Sequence, residues 1–260
     1  MFERGINIAA WAVVAFLVIP LIVIVGSSFT TTEYVAFPPH GFTLKWYEKL
    51  LGQSDFIRSF FDSLIIGIAA TIGAMAIGTP TAIGLRMGSP RSQALLRTIA
   101  MAPLTLPTIV TGVALLQIYY LTEIDAPWTA VVLGHILVTV PYFVRTLGAG
   151  LEAFDPALVE AAESLGASRW RIVFKIMLPV LAPSIFAGMI FVFITSFDQV
   201  TISIFLSGPG TMPLPIRIYS YIEFAIDPMV AAVSTVLILF AFAIVVGLQK
   251  LLGLERAFGA

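Results

Sequence analysis

Few polar side chains in this sequence stand where they could do chemistry. Asp198 closes a long apolar run, in the string Thr195-Ser196-Phe197-Asp198-Gln199. An ionised carboxylate near membrane depth is costly, and where one occurs it faces a cavity or a partner. Asp198, with Ser196 and Thr195 beside it, is therefore a candidate lining for the path of a polar solute. A cationic solute would be its natural counter-ion. A second reading places Asp198 in the outer interface, capping a helix or pairing with Arg217. Asp62, at the head of another apolar run, is either a further pathway carboxylate or an exposed helix cap. His135 lies in mid-run, where a hydrogen bond between helices suits it better than a ligand site.

Other chemistry is excluded. The chain has no cysteine and two histidines, His40 and His135. Disulfides, thiolate metal sites and a histidine metal cluster are thereby ruled out, and neither histidine has the setting of a catalytic triad. None of Lys45, Lys49, Lys175 or Lys250 follows a glycine. The chain thus lacks the Gly-x-x-x-x-Gly-Lys-Ser/Thr loop that cradles phosphates, and ATP hydrolysis cannot be assigned to it. No nucleic-acid or metal motif occurs in 199–216.

The remaining candidate is mechanical. Glu160-Ala161-Ala162-Glu163-Ser164-Leu165-Gly166, completed by Ile176-Met177-Leu178-Pro179, is a polar, helix-forming insert between apolar runs. A membrane pore has no internal need for it, and its composition suits a knob that another protein grips. Asp155 can cap a helix whose first position is Pro156. Leu158, Val159, Ala162 and Leu165 then share one apolar face at helical spacing. Gly166 fits the left-handed position that ends a helix. Ser168 can cap a second helix through Trp170, Ile172, Val173 and Ile176, and Pro179 marks return to the membrane.

The elements that hold these residues follow from composition. The 260 residues are 59% hydrophobic and 11% charged, with mean hydropathy +1.00, against roughly 25% charged in soluble domains. Such a chain takes the bilayer as its solvent. Charge-free windows fall at 5–32, 63–85, 98–122, 126–144, 176–197 and 228–249, each reaching the roughly 17–25 residues that cross a hydrocarbon core. The first is too long for a signal-peptide core and reads as a membrane helix. A seventh window, 199–216, is interrupted by Gly208, Pro209, Gly210, Pro213 and Pro215 and reads as an external loop, partly re-entrant at most. Small residues in the second span, Ala69/Gly73 and Ala74/Gly78, allow close helix approach. Pro103 and Pro107 predict bends in the third, and Leu44 to Leu51 a short interfacial helix. With both termini in the cytoplasm, the inner side holds Arg4, Arg86, Arg91, Arg97, Arg145, Arg169, Arg171, Lys175, Lys250 and Arg256. The outer side holds Lys45, Lys49, Arg58 and Arg217, ten against four of the chain's 14. That bias sets the orientation. Glu123 and Asp125 fall outside, and Glu223 and Asp227 cap or solvate the outer start of the last span.

The pattern Glu-Ala-Ala, three residues, Gly, nine residues, Ile, one residue, Leu-Pro is met at every fixed position, between the fourth and fifth of six spans. It resembles the cytoplasmic signature of permease subunits of binding-protein-dependent ABC importers. Gly78-Thr79-Pro80-Thr81-Ala82 and Pro103 to Gly112 look like that family's second and third spans, so the resemblance extends over nearly the whole chain. It implies an all-α fold of the type I importer permease kind. The whole chain, 1–260, would be one transmembrane domain with a coupling loop at about 148–178. Glu160, Ala161, Ala162, Glu163, Leu165, Gly166, Ile176, Leu178 and Pro179 would couple it to a pair of ATPase subunits, which bind the ATP and magnesium that this chain does not. A second permease subunit, an external solute-binding protein and the bacterial inner membrane complete the implied setting. Two departures stand out: Asp62-Ser63-Leu64 where the family often has Asn-Ser-Leu, and Ala82-Ile83 where it often has Ala-Tyr. The stretch Thr195 to Ser203, with Phe205 to Gly210 and Leu214-Pro215, is similar to the second membrane subunit of spermidine/putrescine-type systems. Relatives that import opines, phosphonates or amino-acid-like solutes look much alike. A secondary transporter driven by an ion gradient would need charges deep in several spans, and an intramembrane enzyme would need a catalytic constellation.

Overall fold

A computed structural model of the chain describes residues 2–122 and 126–252. Glu123, Asp125, Arg256 and the side chain of Lys250, assigned to membrane faces above, lie outside the described residues. Among the described residues the structure is helical, with one isolated β-bridge between Gly208 and Thr211. Arg4–Ser27, Ser54–Met87, Pro127–Glu152 and Met229–Gly247 are each long and apolar enough to cross a membrane, and two bent helix pairs raise the number to six. Helices are the expected solution, because in hydrocarbon every backbone group has to find its partner within the segment. The chain divides into two compact units, 1–58 with 217–260, and 59–216.

In the first unit, α1 (Phe2–Ser27) and α2 (Lys45–Leu51) both pack on α13 (Met229–Leu252). The apolar length of α1 is otherwise uncovered. The short helix expected at 44–51 is present as α2. Its Trp46 is buried, and the indole Nε1–H donates to the Thr30 carbonyl at 2.8 Å. Lys45 and Lys49 lie 4.5 and 5.5 Å from that ring's centre. Lys49 also reaches Asp227 at 2.5 Å. Asp227 accepts from the Met229 N–H at 3.1 Å, capping α13 as expected. Arg217 pairs with Asp55 at 3.5 Å.

The second unit is built on α6 (Pro127–Glu152), which runs between α3 (Ser54–Met87, shared with the first unit) and α10 (Ala182–Phe197). The small residues of α3 do what their spacing predicts. A Cβ on Gly73 would lie 2.4 Å from the Ile136 side chain, and one on Gly78 2.6 Å from the Phe143 ring. Phe143 is fully buried and also fills the space left by Gly188 on α10. Its cluster continues through Leu147, Leu151, Met177 and Val192.

Two expectations are corrected, for Asp62 and for 199–216, while the bend expected in the third span is present: α4 (Pro90–Thr105) and α5 (Thr108–Leu121) meet at 102°. Leu106 between them is extended, with φ −96° and ψ 139°, as a residue before proline prefers. Asp62 is not a helix cap, because α3 begins eight residues earlier, at Ser54. The window 199–216 is not an external loop throughout. Its first part is a helix, α11 (Val200–Leu206), packed on α5 and α6 with Ile202 and Ser203 fully buried. One face of it is covered by protein while Ile204 stays exposed, and the Gly and Pro residues after it end the helix. Gly210, at φ +83°, makes the turn into α12 (Leu214–Phe224).

Candidate functional site

The insert after α6 folds as a helix, a tight turn and a second helix. The Asp155 carboxylate accepts from the Ala157 N–H at 2.9 Å, which starts α7 (Ala157–Ser164). Its end is a Schellman motif: the Gly166 N–H donates to Glu163 O at 2.9 Å and the Ala167 N–H to Ala162 O at 3.0 Å. Gly166 stands at φ +77°, the conformation predicted from sequence. Ser168 has the extended backbone of an N-cap for α8 (Arg169–Ile172), but its hydroxyl makes no capping bond. A π-turn, Val173–Met177, links α8 to α9 (Leu178–Val180). The cause is Pro179, which lacks an N–H and whose ring would strike the carbonyl four residues back in a regular helix. The chain then bends 69° at Leu181 and continues as α10.

The faces of α7 divide differently from the expected stripe. Ala162 is buried, and Val159 packs with it on Leu151, Phe154 and Met177. Leu158 and Leu165 turn outward, Leu165 being 89% exposed. The helix is too thin for four apolar positions to reach one core, so the wider stripe serves two surfaces. Glu160, Ala161, Glu163 and Gly166 are exposed too. On the following helix Trp170, 74% exposed, stacks on exposed Phe174 with ring centres 5.9 Å apart. Ile176 and Leu178 are half-buried, Ile176 against the core, and Pro179 is exposed. Exposed apolar side chains thus stand beside two carboxylates on this element.

The second candidate region separates on inspection. Asp198 is exposed at the end of α10, its N–H donating to Ile194 O at 3.1 Å. The Thr195 hydroxyl donates to its own helix, at Phe191 O, 2.7 Å away. Ser196 is 2% exposed and turned inward, with Oγ 2.8 Å from His135 Nδ1, so it is not an open pathway group. His135 Nε2 lies 3.0 Å from Ser203 Oγ, and Ser203 donates to Gln199 O at 2.6 Å. A hydroxyl has one proton, so the Ser203 oxygen accepts from Nε2–H and Nδ1 accepts from Ser196. His135 therefore bonds α6 to both α10 and α11, the helix–helix role expected of it. Asp62 is buried and accepts from the Met212 N–H at 3.2 Å, while the neighbouring Ser63 Oγ accepts from the Leu214 N–H at 2.8 Å. The Asp-Ser pair anchors the turn ahead of α12 and has no open face. Sequence reasoning missed Ser63 and Ser203. The one signal available was a hydroxyl inside an otherwise apolar run.

Comparison with known proteins agrees with this geometry. The model of the family described as binding-protein-dependent transport system inner membrane component matches residues 74–253. The spermidine/putrescine transport system permease protein PotC of Escherichia coli (strain K12) is 31% identical over 238 residues, 92% of this chain and 90% of the relative. The putrescine transport system permease protein PotI of the same strain is 31% identical over 230 residues, 86% of this chain and 82% of the relative. Among solved structures, a chain of a bacterial ABC transporter that imports alginate superposes with TM-score 0.74 at 15% identity, over 96% of this chain and 95% of that one. A chain of the inward-facing MetNI methionine ABC transporter gives TM-score 0.65 at 18% identity, over 75% and 94%. By sequence match and by fold, the chain belongs to the family of inner membrane components of binding-protein-dependent transport systems.

Proposed function

We propose that this chain is one permease subunit of an ATP-driven importer and forms half of a path for a small polyamine. The 155–180 element faces the cytoplasm and is held by an ATPase subunit, and a second permease subunit supplies the other half of the path. Each ATPase subunit carries the ATP and magnesium, and a solute-binding protein delivers cargo from outside. The observation that carries the reading is the outward face of 157–166, where Leu158, Leu165, Glu160 and Glu163 stand free of the chain's own core. The carboxylates offer anions to basic groups in a partner's groove, and the leucines offer burial. Closure of the ATPase pair would move this element as a lever and rock α6 and α10 between inward and outward openings. That requires contacts that differ between the two states. The polyamine class is supported by the two named relatives and by exposed Asp198, a carboxylate placed to meet a cation.

The test is uptake of labelled spermidine into proteoliposomes holding the complete transporter. Glu160→Lys should leave the chain inserted in the membrane and abolish ATP-driven uptake. Wild-type uptake in that variant would refute the coupling role. A thermal-shift screen of the transporter's solute-binding protein tests the cargo separately, since a preferred solute outside the polyamines would overturn only that part.

A further inference from the structure

The C-terminal ends of α3 and α6 and the length of α4 line an open cavity of about 860 Å3. Its polar lining is three arginines from three helices, Arg86, Arg97 and Arg145, with Gln93, Thr105 and Glu152. Among the described residues the ion pairs are Lys45–Glu33, Lys49–Asp227 and Arg217–Asp55, so none of the three guanidiniums has a carboxylate within reach. Three cations against one carboxylate leave a surplus of two positive charges facing one space. The rest of the wall is apolar, including Leu85, Met101 and Leu104. Arg145 is the first charge after the apolar window 126–144, which puts the arginines at the level of lipid headgroups. Gly148, one helical turn further on, faces open space: a Cβ there would meet nothing within 4 Å.

This arrangement repels a polyamine and is no resting place for the proposed cargo. It suits the opposite charge carried on an apolar body. Guanidinium forks match phosphate oxygens in geometry as well as charge, and basic pockets between membrane helices are where anionic lipid headgroups lodge. We propose that the cavity between α3, α4 and α6 binds the phosphate headgroup of an anionic phospholipid, with its acyl chains along the apolar wall.

The experiment is native mass spectrometry of the full chain purified within its transporter and incubated with phosphatidylglycerol, phosphatidylcholine or inorganic phosphate. Phosphatidylglycerol should be retained in preference to phosphatidylcholine. Arg97→Gln and Arg145→Gln should each weaken retention about fivefold, and the triple variant with Arg86→Gln should abolish the preference. Gly148→Leu keeps every charge, suits a helix better than glycine and projects into the cavity, so it should also weaken lipid retention. Equal retention of the two lipids would overturn the proposal. So would full retention in Gly148→Leu, which would assign the effect to surface charge alone. Inorganic phosphate protecting the protein from heat as well as phosphatidylglycerol does would overturn the lipid assignment.

Discussion

Substitution of Gly166 separates backbone conformation from side-chain bulk in the coupling element. Gly166 sits at φ +77° and a Cβ added there would meet no atom within 4 Å. The cost of a side chain is therefore conformational and not a clash within this chain. An L-residue held in the left-handed region loses about 1–2 kcal/mol, and asparagine loses least because its side chain bonds locally. A change of that size alters the population of the correctly turned element by a factor of about 5–30. The two Schellman bonds, Gly166 to Glu163 and Ala167 to Ala162, would be lost with the turn. The direction of α8 would change with them. In proteoliposomes holding the complete transporter, uptake per ATP hydrolysed should fall in the order Gly166, Gly166→Asn, Gly166→Ala, Gly166→Val. Chain insertion should be unchanged. If Gly166→Asn is as damaging as Gly166→Val, bulk at the docking surface decides the effect and the conformational argument fails. If Gly166→Val supports normal uptake, the turn has no part in coupling.

Other predictions concern the scaffold. His135→Ala should lower the thermal midpoint of the purified protein by an amount equivalent to about 1–3 kcal/mol, because it strands the buried Ser196 hydroxyl. Adding Ser196→Ala should recover part of that loss, and strict additivity of the two changes would disprove the link. Gly73→Val should destabilise by about 1–3 kcal/mol through overpacking on Ile136, and Ile136→Ala in the same chain should offset it; no rescue would mean the two helices do not meet there. The hydrogen bond from Lys49 to Asp227, opposed by partial burial, raises the lysine above its ordinary 10.5. A raised lysine contributes its stability in full below the unfolded value and loses it as pH climbs through the folded one. Asp227→Asn keeps an oxygen for the α13 cap, so the midpoint difference between it and wild type isolates the ion pair. With the lysine side chain 43% exposed, the pair is worth ~0–1 kcal/mol. The difference should be visible at pH 8 and absent well above pH 10.5; a difference that grows with pH would contradict the assignment.

The fold was legible where the sequence carries a local cause. Apolar windows located the spans, because length and hydropathy are read one segment at a time. Asp155, Gly166 and the small residues of α3 were legible for the same reason: each acts on neighbours a few residues away or through its own lack of a side chain. The failures share another cause. Leu165 was placed on the core stripe because periodicity gives a face and does not say how wide the covering surface is. The window at 199–216 was read against lipid, although α11 packs one face on α5 and α6, which only the tertiary structure reveals. Asp62 and Ser196 were candidate pathway groups because a polar residue in an apolar run signals a partner. Whether that partner is a solute or a backbone amide 150 residues away in sequence, as for Asp62 and Met212, lies beyond local pattern.

The histidine bridge has a mechanical consequence. The chain breaks twice around α10, at Leu181 and again at Asp198–Gln199, and two breaks in series would ordinarily give that helix slack at both ends. Through one imidazole ring, α6 is tied to the C-terminal end of α10 and to α11 beyond it, so the second break is spanned by two side-chain hydrogen bonds. The break at Leu181 has no such polar bridge and is held by apolar packing, with Leu181 buried in the cluster of Leu147, Leu151 and Met177. Were the 155–180 element displaced, as the proposed coupling requires, α10 and α11 would be drawn along with α6 through that ring.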